Sequence, residues 1–333
     1  MKKCDLYVKI YLLNIINFKI KVYGDFMNTT LNKTVSELTV GDASVVLVEG
    51  IEGFDVGKTF DCGQCFRFDE VKDSRHEKEF SGVAFGRFVS FAQDGDKLYI
   101  YGSTLDEYEN IWKGFLDIER DYGEIERDIL NHYSNDALIR AMGYGRGIRI
   151  LVQDRFECVI SFIISQNNNI PRIKKIIEAL SRECGAPIEI GEEMKKHLSG
   201  GSLPFAFPSA EAIYALGEQG LCNLKVGFRA KYIFDAVSRI ISGKLSLDEV
   251  SRAESTERVI EMLCEVKGIG LKVASCAALF GFSRLDAFPI DVWVKRVGER
   301  HFPNEKEFSG RLFGEYAGIA QQYLFYYERY NSI

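Results

Sequence analysis

The run VKGIG at 266–270 lies between two stretches with helical patterning, VIEMLCEV and LKVASCAALF, and it leads directly into Lys272. Two glycines two apart permit a tight turn. They also let free backbone N–H groups at the following helix N-terminus approach an anion such as a DNA phosphate, with no side-chain charge needed. A plain helix–helix connection would use Gly268 and Gly270 equally well. Lys272 sharpens the question, because the positive end of a helix dipole disfavours an ammonium in the first turn and any burial adds to that. Both effects favour a neutral amine that can attack carbon; a chance surface lysine is the alternative. About twenty residues later Asp291 follows Pro289-Ile290 and precedes VWVKRVGER, the place of a helix N-cap. A carboxylate that accepts backbone N–H bonds keeps its charge and is suited to stabilising a cation that develops beside it. Hairpin, amine and fixed carboxylate together make a site for attacking a sugar carbon whose leaving group departs with oxocarbenium character.

Such a site needs a rigid frame, and 333 residues with 46% hydrophobic and 27% charged composition can bury one. Residues 36–103 alternate in short runs, ASVVLVEG, KTFDCGQCFRFDE, FSGVAFGRFVSFAQ and KLYIYG, with the turn DGD between the last two; this predicts antiparallel sheet. From about Tyr108 the spacing becomes helical, as in Ile173, Ile176, Ile177 and Leu180, or Ile233, Ala236, Val237 and Ile240. Glycine and proline at 185–208 predict an irregular loop between helices. The apolar run IYLLNIINF near the start is too short and too rich in Asn for a membrane span, and no small-residue cleavage site follows it. A cytoplasmic protein is expected, and residues 1–26, which precede Met27, read as an extension upstream of the natural start. The eight cysteines are mostly isolated in apolar stretches, as reduced core thiols are, and the lone pair Cys62 and Cys65 lacks the further ligands a metal site needs. The net charge of −6 allows a basic face only if charge is segregated; 221–244 carries Lys225, Arg229, Lys231, Arg239 and Lys244 with Asp235 alone against them, while 104–128 is acidic.

The stretch 266–297 resembles the helix–hairpin–helix and Gly/Pro–Asp motif of the DNA glycosylase superfamily. SFIISQNNNIPRI at 161–173, GQCFRF at 63–68, FSGV at 80–83, GFRAKY at 227–232 and AGIAQQYLF at 317–325 are similar, in the same order, to segments of the 8-oxoguanine DNA glycosylases. The resemblance runs from about residue 40 to the C-terminus. It implies that Lys272 is the Schiff-base nucleophile and Asp291 the acidic residue supporting it. Gly63 matches the glycine whose carbonyl accepts a hydrogen bond from N7–H of 8-oxoguanine, a donor guanine lacks, although a turn glycine would look the same. Cys276 matches the pocket cysteine, with a small core residue as the other reading. Gln321 and Phe325, four apart on a helix, match residues that hold the flipped base by its pairing edge and by stacking. Asn167, Arg172 and Arg229 match residues that fill the gap and read the orphaned cytosine, and Phe228 stands where the family often has a tyrosine wedge. QNNNIP also reads simply as an Asn cap with Pro171 in the first turn. Trp293 departs from members with a phosphate-contacting histidine there. The chain lacks the four-cysteine cluster of the iron–sulfur glycosylases, and Lys272 sets it apart from the alkyl-base members.

The expected architecture is α+β. An N-terminal extension covers 1–35. An antiparallel β-rich domain, TATA-binding-protein-like by the resemblance, covers 36–130. An all-helical two-lobed domain covers 131–333, with the helix–hairpin–helix at about 259–281. The function implied is flipping out and excising 8-oxoguanine from duplex DNA, with an associated abasic-site lyase step and no metal or organic cofactor. The partner is duplex DNA carrying 8-oxoguanine opposite cytosine, with no membrane. The protein is expected to be a monomer in a prokaryotic-type cytoplasm, associated with the nucleoid through DNA. A non-catalytic helix–hairpin–helix module and a glycosylase for alkylated bases are the rival readings.

Overall fold

The computed structural model describes residues 33–199 and 203–331. The expectations for the run IYLLNIINF and for a start at Met27 therefore lie outside the described residues. The sheet already begins at Thr34, two residues inside the span assigned to an extension.

Six antiparallel strands, β1 (Thr34–Val40), β2 (Ala43–Glu49), β3 (Phe68–Glu70), β4 (Lys78–Ala84), β5 (Arg87–Asp94) and β6 (Lys97–Tyr101), lie in the order β1-β2-β6-β5-β4-β3. The hairpin at Asp94–Lys97 is the one the DGD turn predicts, while the run FSGVAFGRFVSFAQ folds into two strands with a further hairpin at Ala84–Arg87. The run KTFDCGQCFRFDE differs from its strand reading. Asp55 accepts a hydrogen bond from Lys58 N at 2.8 Å and starts a short helix, α1 (Val56–Asp61), so only Phe68–Glu70 pairs as strand. Between them lies an irregular turn through Cys62, Gly63 and Gln64.

One sheet face packs Phe60, Phe68, Phe91, Trp112 and Phe115 into an aromatic core, with Phe60 and Phe68 centroids 4.6 Å apart. The other face, Val45, Val83, Phe88, Ala92 and Tyr101, is covered by Met194 with Ile188, Ile190 and Leu198. The segment read as an irregular loop between helices is thus the sheet's second cover. Ile188 N donates to Pro204 O (2.9 Å) and Ala206 N to Ala186 O (2.8 Å). The Asp42 carboxylate accepts Glu192 N and Glu193 N, both at 2.8 Å, which seats a helical turn on the sheet.

The helical part comprises α2 (Tyr122–His132), α3 (Asp136–Gly145), α4 (Arg155–Ser165), α5 (Ile170–Cys184), α6 (Ala210–Asn223), α7 (Ala230–Ile241), α8 (Thr256–Cys264), α9 (Leu271–Gly281), α10 (Val292–His301) and α11 (Ala317–Asn331). Ile173, Ile176, Ile177 and Leu180 on α5 and Ile233, Ala236 and Val237 on α7 are buried, as their spacing requires. Every residue of α9 from Val273 to Gly281 is buried, because α9 packs between α4 and α8 at the centre of the helical core. Trp112, Phe115 and Ile118 belong to the sheet core, and Tyr122, Ile125 and Ile129 to the helical core. The changeover therefore falls between 118 and 122, before the boundary expected at 130. No helix among the described residues is long and apolar enough to cross a membrane.

Candidate active site

The hairpin between α8 and α9 is held from below by α7. Asp235 on α7 accepts both Lys267 N and Arg239 Nε at 2.9 Å. Gly268 has φ +84°, and a Cβ there would lie 2.4 Å from the Tyr232 ring, so both conformation and space call for glycine. Ile269 is buried, whereas Gly270 caps α9 with no side-chain acceptor. The first N–H groups of α9 are thus left without an intrahelical partner at an exposed helix start, with Leu271 largely in solvent.

Lys272 is half-buried, and its Nζ lies 5.7 Å above the centre of the Phe162 ring of α4. Phe162 in turn stacks on Phe280 with centroids 5.5 Å apart, so the amine stands over an aromatic floor. Asp291 caps α10, its Oδ1 accepting Trp293 N and Val294 N at 2.9 Å each. Lys272 and Asp291 line the same two adjoining cavities. The inner one, about 60 Å³, is bounded by Cys62, Gly63, Cys276, Pro289, Gln321 and Phe325 as well. The outer cleft, about 380 Å³, shares Gly63, Phe162, Lys272, Asp291 and Phe325 and opens past Asn168, Asn169, Pro171, Trp293 and Arg329. The inner space is too small for a nucleobase as it stands, so a base could enter only with movement of the residues that line it.

The walls of the inner cavity carry specific polar chemistry. Gly63 has φ +81°, and a Cβ on it would sit 3.4 Å from Ile170 Cδ1 and 3.6 Å from Phe325 Cε1, filling the passage between the cavities. Gln321 is buried and its Oε1 has no hydrogen-bond partner among the described residues. Leaving such an acceptor empty costs about 1–3 kcal/mol, which a donor on an inserted ligand would recover. Burial raises the pKa of the Cys276 thiol, partly offset by the nearby Lys272, so it stays protonated and does not compete as a nucleophile.

None of the residues expected around an orphaned base lines either cavity, although Asn167 and Arg172 are chain neighbours of the cleft residues Asn168 and Pro171, and the two arginines differ in their surroundings. Arg172 is exposed at the start of α5, where Asn169 Oδ1 accepts its backbone N–H at 3.0 Å. Arg229 is 2% exposed and turned inward. Its guanidinium donates to Gln166 O, to Val226 O (3.1 Å) and to Asn167 O (2.9 Å), and burial and the charge of Arg172 lower its pKa. In this conformation Arg229 braces the Gln166–Asn167 turn, in which Asn167 adopts φ 47°. Phe228 is half in solvent, with the Arg229 guanidinium 4.4 Å from its ring centre and Tyr232 edge-on at 5.9 Å. Lys225, Lys231 and Lys244 remain exposed, but Arg239 is paired with Asp235, so the basic stretch presents less free charge than its composition suggests. Trp293 has Arg296 5.0 Å from its ring centre.

The family description 8-oxoguanine DNA glycosylase, N-terminal domain, matches residues 46–159, and HhH-GPD superfamily base excision DNA repair protein matches 160–311. An 8-oxoguanine glycosylase/lyase from Clostridium acetobutylicum, solved with double-stranded DNA containing cytosine opposite 8-oxoguanine, is 34% identical with TM-score 0.80, over 90% of this chain and 99% of that one. The chain belongs to the 8-oxoguanine DNA glycosylase family. MBOgg1, solved with a low-affinity DNA ligand, is 37% identical with TM-score 0.79, over 90% of this chain and 100% of its own. A probable N-glycosylase/DNA lyase of Methanothermobacter thermautotrophicus is 31% identical over 215 residues, which are 56% of this chain and 65% of that relative. The fold is the one these relatives imply, a six-stranded antiparallel sheet followed by a helical helix–hairpin–helix domain.

Phe162, Phe280, Gln322 and Arg329 line the cavities but carry no sequence signal of their own. They arrive from distant segments, and only the doubled glutamine in AGIAQQYLF, next to the singled-out Gln321, could have drawn attention to Gln322.

Proposed function

We propose that this chain flips 8-oxoguanine out of duplex DNA, excises it through Lys272, and then cleaves the strand at the abasic site. The observation that carries this reading is the joint lining of one cavity pair by the Lys272 amine, the Asp291 carboxylate, the Gly63 turn and the unpaired Gln321 oxygen. The phosphate backbone rests on the N–H groups at the start of α9, and Phe228 enters the stack as the base leaves it. Extrusion costs on the order of a few kcal/mol, less for a damaged base. In the pocket Gln321 takes donors on the pairing edge, Phe325 covers one face, Cys276 bounds the other side, and the Gly63 carbonyl accepts N7–H. The amine of Lys272 then bonds to C1′ as the C1′–N9 bond breaks and its electron pair leaves with the base. Asp291, held by two backbone N–H groups, stabilises the positive charge that builds on the sugar. The C1′–O4′ bond of this adduct then opens, with a proton passing from nitrogen to O4′, and the imine so formed loses a C2′ proton and expels the 3′ phosphate, which nicks the strand.

Cytosine is the expected partner base, read by Arg172 and by Arg229 once it leaves its backbone carbonyls, with Asn167 filling the gap. The protein acts as a monomer in the cytoplasm, on the nucleoid. The test is incubation with duplexes carrying one 8-oxoguanine opposite each of the four bases, with borohydride added to trap the imine and a 3-methyladenine duplex as control. Trapping on 8-oxoguanine, fastest opposite cytosine, is expected; release of 3-methyladenine alone would favour the alkyl-base reading instead.

A further inference from the structure

The turn after α1 contains three consecutive carbonyls, and the protein treats them unequally. Cys62 O accepts Nε2 of Gln322, which reaches across from α11, at 2.8 Å. Gln64 O accepts Nε2 of Gln153 at 2.7 Å. The Gly63 carbonyl between them accepts no hydrogen bond among the described residues. The frame continues through the Gln64 side chain, which is fully buried. Its Nε2 donates to Thr59 O and Arg149 O, both at 2.8 Å, and its Oε1 accepts Leu151 N at 2.9 Å. A left-handed glycine has soft torsions, so its carbonyl points in one direction only if the peptides on either side are held. Here each neighbour is held by a side-chain amide drawn from a different part of the chain, and Gln322 is itself 3% exposed.

We propose that Gln322, with Gln153 on the other side, is a positioning residue that sets the direction of the Gly63 carbonyl and through it the preference for 8-oxoguanine over guanine. This rests on the reading of that carbonyl as the acceptor for N7–H. A fixed acceptor discriminates because it need not reorganise when the right donor arrives, and it presents only its lone pairs to the unprotonated N7 of guanine. A turn free to rotate loses part of that contrast even though every group touching the base is still present.

The test separates base recognition from chemistry. Gln322→Glu keeps the side-chain shape, but an ionised carboxylate cannot donate to Cys62 O and repels it. Excision of 8-oxoguanine should fall about tenfold or more. Cleavage of a duplex with a preformed abasic site, which needs Lys272 but no base contact, should stay close to native. As pH falls and the introduced carboxyl takes up a proton it can donate again, so the ratio of variant to native excision should rise toward acid. A loss of packing would not produce that profile. Gln153→Glu should show the same selective loss from the other side of the turn. Native excision of 8-oxoguanine with no selective loss in either variant, or with excision and abasic cleavage falling in parallel, overturns the proposal alone. A native protein that leaves 8-oxoguanine in place overturns the reading of the Gly63 carbonyl and this proposal with it.

Discussion

Asp291 caps α10, and in the function proposed above its charge also supports the reacting sugar; a pair of substitutions can separate the two. Its Oδ1 caps α10 by accepting Trp293 N and Val294 N, each at 2.9 Å, and its charge faces the cavities that Lys272 also lines. Asparagine caps a helix about as well as aspartate, so Asp291→Asn should leave both bonds in place and forgo only the charge–dipole part, about 0.3–1 kcal/mol. Alanine removes the cap as well, about 1 kcal/mol more, or a further Tm loss of roughly 1–2 °C for a chain of 333 residues. Catalysis should divide differently. Loss of one preorganised electrostatic contact to a developing charge typically slows a reaction about 100- to 1000-fold. The asparagine variant should therefore already show nearly the full rate loss with little change in Tm, and the alanine variant should add instability but little further slowing. Single-turnover excision of 8-oxoguanine, beside thermal unfolding of the same preparations, measures both. If the asparagine variant turns over at a near-native rate and only the alanine variant is slow, Asp291 is a cap and nothing more.

Lys272→Gln should end base excision and borohydride trapping while lesion binding persists in a gel-shift assay; any trapped complex would move the nucleophile elsewhere. Gln321→Ala and Phe325→Ala should each weaken excision by about 1–3 kcal/mol, roughly 5- to 150-fold, and native rates in both would exclude α11 from the pocket. Arg172→Ala should flatten the cytosine-over-adenine rate ratio at fixed salt with little effect on Tm. Arg229→Ala should lower Tm as well, because it strands the carbonyls of Gln166, Asn167 and Val226; equal Tm effects would contradict the inward role of Arg229. Burial pushes the Glu157 carboxyl up to about 7, against its ordinary 4.5. A raised folded pKa gives stability that is present at acid pH and is lost as pH climbs through the folded value. Tm should therefore drop between about pH 5 and about pH 8, and Glu157→Gln should flatten part of that slope; an unchanged slope would clear Glu157 of it.

The lysine and the aspartate were legible because their local settings are unusual: an amine at a helix start, and a carboxylate behind a proline. The stripes on α5 and α7 were legible because burial on one face leaves a period in the sequence, whereas β4 and β5, buried on both faces, were legible as short apolar runs bounded by turn residues. β1 escaped notice because it is an edge strand exposed along its length, so no alternation marks its core face. The Cys62–Gly63 turn was read as strand because its real partners, Gln153 and Gln322, are far away in the chain. The segment at 185–208 looked irregular for a similar reason. Its order comes from Asp42, from the pair of His197 with Glu79, and from the sheet face it covers, none of which leaves a local period. Arginine 229 illustrates a different limit: a charged residue in a basic run gives no sign that backbone carbonyls will absorb its donors.

Tyr232 touches Phe228 on one side and Gly268 on the other. The element that would grip the backbone and the ring that would part the bases therefore ride on a single fulcrum. The distance between the helix start that follows Gly268 and the Phe228 ring is therefore set inside the protein, by the one aromatic side chain that touches both.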